Sequence, residues 1–173
     1  MSNQGNSNQN GSNENQVKHV PAGTGPAYCG PGDRMTFLIT GAETGGAFFM
    51  AEVSVAPGGG PPPHVHSRED ESFYVQQGTL AVQVGDKGLK VSAGDFVHMP
   101  RGTAHSFKNV GEETAKLLMV ATPAGIDNYF AEVFLPAADI ADVPQVAEAV
   151  IGRALKTAPR FGLELLLPAG KQR

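Results

Sequence analysis

The sequence predicts an all-β fold, an antiparallel sandwich or barrel, followed by two α-helices, and three observations carry that expectation. Gly (22) and Pro (13) make up about a fifth of the 173 residues, which favours short strands and tight turns over long helices. From Arg34 to Ala121 the apolar residues fall into short, β-branched runs separated by glycine-containing turns. Beyond residue 124 the apolar spacing changes to that of amphipathic helices.

Residues 1–16 are almost entirely Asn, Gln, Ser, Gly and Glu. Such a segment has nothing to bury against its ordering entropy, so it is expected to be a disordered tail. Residues 17–173 then form a single domain, with a barrel core over 34–122 and a helical extension over 124–165. Strands are expected at Met35–Thr40, Ala47–Val55, Glu71–Gln76, Thr79–Val84, Gly88–Val91, Phe96–Met99, Ala104–Asn109 and Lys116–Ala121. Turns such as Gly41–Gly46, Gly85-Asp86 and Gly94-Asp95 separate several of them.

In the extension, Ile126, Tyr129, Phe130, Val133 and Phe134 share one helix face. A second stripe runs through Val146, Ala147, Val150, Ile151, Ala154 and Leu155, with Pro144 suited to the first turn. Both helices are expected to pack on the outside of the barrel or across a subunit interface, as core or interface rather than as a cofactor box.

The formal net charge is −4, with both signs scattered. Without a basic stripe or an aromatic–basic pattern, nucleic acid is not an expected partner. No apolar run reaches the length of a membrane span, and the N-terminus shows no charged and apolar leader. Cys29 is the single cysteine, so no intramolecular disulfide is expected and a cytoplasmic setting follows.

Two stretches carry the chemistry. In Gly58-Gly59-Gly60-Pro61-Pro62-Pro63-His64-Val65-His66, an extended backbone puts His64 and His66 on one face. Glu71 then opens a strand on which Glu71, Phe73 and Val75 share a face. If that face is the interior, a carboxylate enters an apolar cavity, which is costly unless the charge is compensated. In the second stretch, Pro100 to Gly102 turn the chain into a strand that begins near His105.

Gly58, His64, His66, Glu71 and Gly78, then Gly94, Pro100, Gly102, His105 and Asn109, resemble the two cupin signatures at every required position. The resemblance implies a cupin barrel (a double-stranded β-helix, or jelly roll) binding one divalent metal ion through His64, His66, Glu71 and His105. Mixed imidazole and carboxylate ligation suits Fe, Mn, Co, Ni or Zn. Asn109 and the motif glycines read as turn and backbone positions. His98 reads as structural or interfacial, His19 and Cys29 as passengers, and Tyr74 as outward-facing.

The runs 58–78 and 94–102, Thr122-Pro123-Ala124-Gly125 and Phe161-Gly162-Leu163-Glu164 further resemble bacterial quercetin 2,3-dioxygenases of the single-cupin kind. In that group a flavonol hydroxyl meets the metal, the Glu ligand takes its proton, and dioxygen opens the ring with release of carbon monoxide. Carried over, Glu71 is both ligand and base. Two other readings stand beside it: a metal-dependent isomerase, cyclase or lyase, and a non-catalytic small-molecule-binding module. Met50, Phe73, Met99 and Phe107 are the candidate lining residues of the substrate pocket. The helical stripes and the apolar run Thr36 to Ile39 point to a homodimer.

Overall fold

The computed structural model describes residues 17–136 and 143–166; the expected tail, 1–16, lies outside them. Among the described residues the chain runs through β1 (Ala27–Cys29), β2 (Arg34–Ile39), β3 (Phe49–Val55), β4 (His64–His66), β5 (Asp70–Gln77) and β6 (Thr79–Val84). It continues through β7 (Lys87–Ser92), β8 (Phe96–Met99), β9 (His105–Asn109) and β10 (Ala115–Thr122). Then come α1 (Ile126–Val133), β11 (Leu135–Pro136), α2 (Val143–Thr157), a 3₁₀ turn (Ala158–Phe161) and β12 (Leu163–Leu165).

The strands form two antiparallel sheets, ordered β11-β1-β2-β3-β10-β5-β8 and β12-β4-β9-β6-β7. Their inner faces are built by alternation, clearest on β5 and β10. On β5, Glu71, Phe73 and Val75 are buried while Tyr74 is 46% exposed; on β10, Ala115, Leu117, Met119 and Ala121 point inward. Each fully buried Val, Leu or Phe of this core contributes roughly 1.5–3 kcal/mol.

The long strands lie within a residue or two of their expected places. The short β1, β11 and β12 were not expected, because two or three residues leave too little alternation to recognise.

Both signatures fasten the barrel beyond their histidines. Asn109, 1% exposed, donates from Nδ2 to the carbonyls of Val55 (2.8 Å) and Glu113 (2.7 Å), and its Oδ1 accepts from the Gly111 amide. It thus ties β9, the end of β3 and the following loop together. Gly60, at φ +134°, passes so close to β9 that any Cβ would strike the Phe107 carbonyl oxygen.

The helices pack on the barrel by one face and keep the other exposed. Ile126, Tyr129, Phe130 and Val133 of α1, and Phe134 after it, are buried, as are Val150 and Ala154 of α2. Ile151 is 44% exposed, and the side chains of Val146 and Ala147 lie outside the described ones. Asp127 anchors α1 by accepting from the Gly41 amide (2.8 Å) and the Gly125 amide (3.0 Å). Phe130 packs on Phe49 and Phe134, and Tyr129 on Phe161, so this aromatic face closes one mouth of the barrel. No described helix is long and apolar enough to cross a membrane.

Candidate metal centre

Three strands from both sheets deliver the site. His64 and His66 are the two inward residues of β4, His105 opens β9 directly opposite His64, and Glu71 stands at the start of β5. All four are at least nine-tenths buried. The turn of the second signature is tied to the first. Arg101 grips Asp70 with Nε (3.1 Å) and a terminal nitrogen (2.8 Å), its amide adds a third bond, and the Gly102 amide donates to the His66 carbonyl (2.7 Å). The residues flanking Glu71 and His105 therefore share one scaffold. On the far edge of β4, β12 pairs Leu163 with His66 and Leu165 with His64.

The imidazoles are oriented from behind. His64 Nδ1 donates to the Pro62 carbonyl (2.8 Å) and His105 Nδ1 to the Thr103 carbonyl (3.0 Å). Each donation leaves Nε2 as the inward, lone-pair nitrogen, the arrangement that metal-bound histidines use. Behind His66 stands Glu69, itself buried, with Oε2 3.8 Å from Nδ1. In front, Glu71 Oε2 lies 3.1 Å from His66 Nε2 and 3.5 Å from His105 Nε2.

Burial alone would raise the Glu71 carboxyl, but the contacts from His105 and His66 outweigh it and hold the group well below the usual carboxylate range. Burial, then the neighbouring His105, pulls His64 down to about 4. Burial also acts to lower His66, yet Glu69 and Glu71 together push it up to about 9. His66 is thus the one of these two that must shed a proton to become a ligand.

The group fits a metal ion. One donor atom from each of the four residues lies within 4.8 Å of all the others. His105 Nε2 is buried without a hydrogen-bond partner, which is costly unless it has another use. Three imidazole nitrogens and a carboxylate oxygen suit a divalent ion of the Fe, Mn, Co, Ni or Zn kind.

Beside this cluster lies a cavity of about 70 Å³ whose walls are mainly apolar. A space of that size suits a compact ligand. Phe107 lines it. The other three candidates are not among its walls. Phe73 is buried in the barrel core against Phe107, Met99 is buried in register with Glu71 without lining the cavity, and Met50 alternates to the outer face of β3 between buried Phe49 and Ala51.

The walls come instead from the ends of the chain. Met35, Met119, Phe130, Phe134, Ala154 and Leu163 are among them, so core side chains at and after α1 and on α2 also face the cavity. Asp33, on the β1–β2 turn, also faces the cavity, and no motif pointed to it. Tyr74 faces outward, His98 Nδ1 pairs with Ser72 Oγ at 2.9 Å on the outer surface, His19 is exposed and Cys29 is buried in β1.

Residues 51–121 match the Cupin domain family, Cupin_2. The barrel is a cupin domain. An oxalate oxidase of Triticum aestivum, GF-2.8, is 34% identical over 127 residues, covering 68% of this chain and 54% of its own length. A quercetin 2,3-dioxygenase of Bacillus subtilis is 25% identical over 127 residues, covering 66% of this chain and 36% of its own. Among solved structures, the polyketide cyclase RemF of Streptomyces resistomycificus superposes with a TM-score of 0.55 at 25% identity, over 62% of this chain and 80% of that one. The chain spans roughly a third to a half of the length of the curated relatives it matches.

The cupin ligand set makes a direct prediction. A metal that binds only the folded state adds about 2.7 kcal/mol at a hundredfold excess over its Kd. A chelator should lower the Tm of the purified protein. His64→Ala and His105→Ala should abolish both the bound metal and the chelator effect, as read by elemental analysis and thermal melts.

Asp33 makes a second. Burial, and then the charge of Glu71, pushes its carboxyl up to about 7 from 3.8. Between those values the folded state holds a proton that the unfolded state has released, so stability falls as pH rises across the window and levels above it. In metal-free protein, Asp33→Asn should remove that slope. The variant should gain on wild type from pH 4 to pH 7, by on the order of a few kcal/mol, in denaturant titrations.

Proposed function

We propose that this cupin is a metal-dependent dioxygenase that cleaves a compact enolic or hydroxylated aromatic substrate, or a flavonol-type one, with Glu71 as general base. The observation that carries this reading is Glu71 itself. It is a buried carboxylate that belongs to the four-donor group and lines one small, mainly apolar cavity with His64 and His66. When bound, the divalent ion supplies a Lewis-acidic centre for a substrate hydroxyl and for dioxygen.

The chain does the rest. His64 and His105, braced by backbone carbonyls, keep their inward nitrogens fixed. Glu71, ionised, accepts the hydroxyl proton, and in so dry a site the charge acts more strongly than it would in water. The walls from Met119, Phe130, Phe134 and Leu163 exclude water and stack on an apolar ring. Both atoms of dioxygen enter the cleaved product and a ring carbon leaves as carbon monoxide, so no further reductant is required. The size of the cavity favours compact substrates over three-ring flavonols.

The likeness to the polyketide cyclase supports a second reading, a cyclase that uses the same site without dioxygen. One assay separates them. Protein loaded in turn with Mn, Fe, Co and Ni is given small enolones, hydroxylated aromatics and flavonols, with oxygen uptake, carbon monoxide and substrate absorbance followed together. The dioxygenase reading expects oxygen uptake with at least one metal. It expects Glu71→Gln to retain metal while losing about 10²–10⁴-fold in rate. Substrate conversion without oxygen uptake would favour the cyclase, and binding without conversion a binding module.

We also propose that the protein works as a cytoplasmic homodimer. Phe96, 65% exposed at the end of one sheet, Tyr74 beside it and Leu89 at the end of the other form an outer apolar patch. Light scattering at micromolar concentration should give twice the 18.0 kDa chain mass; a monomer mass would reject the dimer.

A further inference from the structure

Among the buried polar atoms without a hydrogen-bond partner, which include Arg34 Nε and Glu69 Oε2, one belongs to a carboxyl that lines the cavity and that the reaction above does not use. Asp33 is 3% exposed, lines the same cavity as His64, His66 and Glu71, and has an Oδ1 with no hydrogen-bond partner. Its sequence neighbour does not satisfy it, since Arg34 directs a terminal nitrogen to Thr36 Oγ1 at 2.9 Å. The cavity it lines is walled mainly by apolar side chains, Pro31, Met35, Met119, Phe134 and Leu163 among them, with Glu71 and Tyr129 the groups whose electrostatics couple to it. A carboxyl so placed is costly to keep in an apolar wall unless something entering the cavity bonds to it.

We propose that Asp33 binds the substrate directly, by hydrogen bonding to an oxygen function other than the one that meets Glu71. This rests on the reading of the cavity as a substrate site, and it narrows the substrate to a class: a compact ring carrying an enolic oxygen and, apart from it, a second hydroxyl or carbonyl. Burial supports the choice of an uncharged partner, because it favours the protonated carboxyl, which can donate as well as accept. Tyr129, also lining the cavity, is pushed up to about 12 by burial and then by Asp33, so its hydroxyl stays protonated beside the same ligand.

Two enolones differing at one remote position test this: kojic acid, with a hydroxymethyl group, and allomaltol, with a methyl group in its place. Zinc-loaded protein, which is redox-silent, is titrated with each by calorimetry and by enolone absorbance. Wild type should bind kojic acid about tenfold more tightly, the worth of one good hydrogen bond. Asp33→Leu should bring the ratio to about one with allomaltol binding intact, and Asp33→Asn, which keeps a donor and an acceptor, should retain part of it.

An unchanged ratio in Asp33→Leu, equal affinities in wild type, or no binding of either enolone would overturn the assignment. So would loss of zinc from Asp33→Asn, which would make Asp33 a support of the metal site instead. If Asp33→Leu does not fold, Asp33→Ala carries the same comparison. Because zinc binding needs no oxygen, failure of the dioxygenase assay would leave this ratio standing, and equal affinities in wild type would leave the dioxygenase reading to its own oxygen-uptake assay.

Discussion

The structure is organised around the burial of one carboxylate. Glu71 lies inside an apolar barrel, where an isolated charge would be untenable, and three imidazoles converge on it from two other strand segments. Everything that fixes those strands relative to one another serves that convergence. The Asp70–Arg101 clamp and the Gly102 bond to β4 join the two signatures outside the site. The Asn109 bonds and the glycine crossing at Gly60 hold the opposite end of β9. The ligands are therefore gathered by hydrogen bonds that need no ion, and an ion finds its donors already assembled.

The C-terminal part of the chain determines what else reaches that centre. A barrel with an open mouth would leave the histidines wet. Here α1 lays its aromatic face over the opening, while β12 covers the outer edge of β4. The same side chains that stabilise the helix by burial form the ligand-facing wall, so packing and selectivity draw on one set of residues. Substitutions at Phe130 or Phe134 would alter both at once.

The grouping of the four candidate ligands was legible in the sequence because their chemistry and spacing are local. His64 and His66 are two apart on an extended segment, and each signature spans about twenty residues. The long strands were legible through alternation, as β5 and β10 show. The cavity was not. Phe73 shares the inner face with Glu71 yet packs below the ligand layer, which alternation cannot tell from lining the cavity. Asp33 lies 31 residues before His64 and joins the site only through the pairing of β1, β2 and β3. The helical stripes were recognisable as helices, but an apolar face reads the same over a core and over a ligand.

The histidines are braced unequally, and this shapes how such a site can change over generations. His64 and His105 each donate to a carbonyl two residues earlier in the chain. Those acceptors belong to the main chain, so a single side-chain replacement does not delete them. His66 is backed by a side chain, Glu69, and that support is open to mutation. Two ligands are thus insulated from sequence drift while the third carries an adjustable neighbour. A lineage could retune basicity at one corner of the site through position 69 without unsettling the other corners, which gives a rigid centre a single dial.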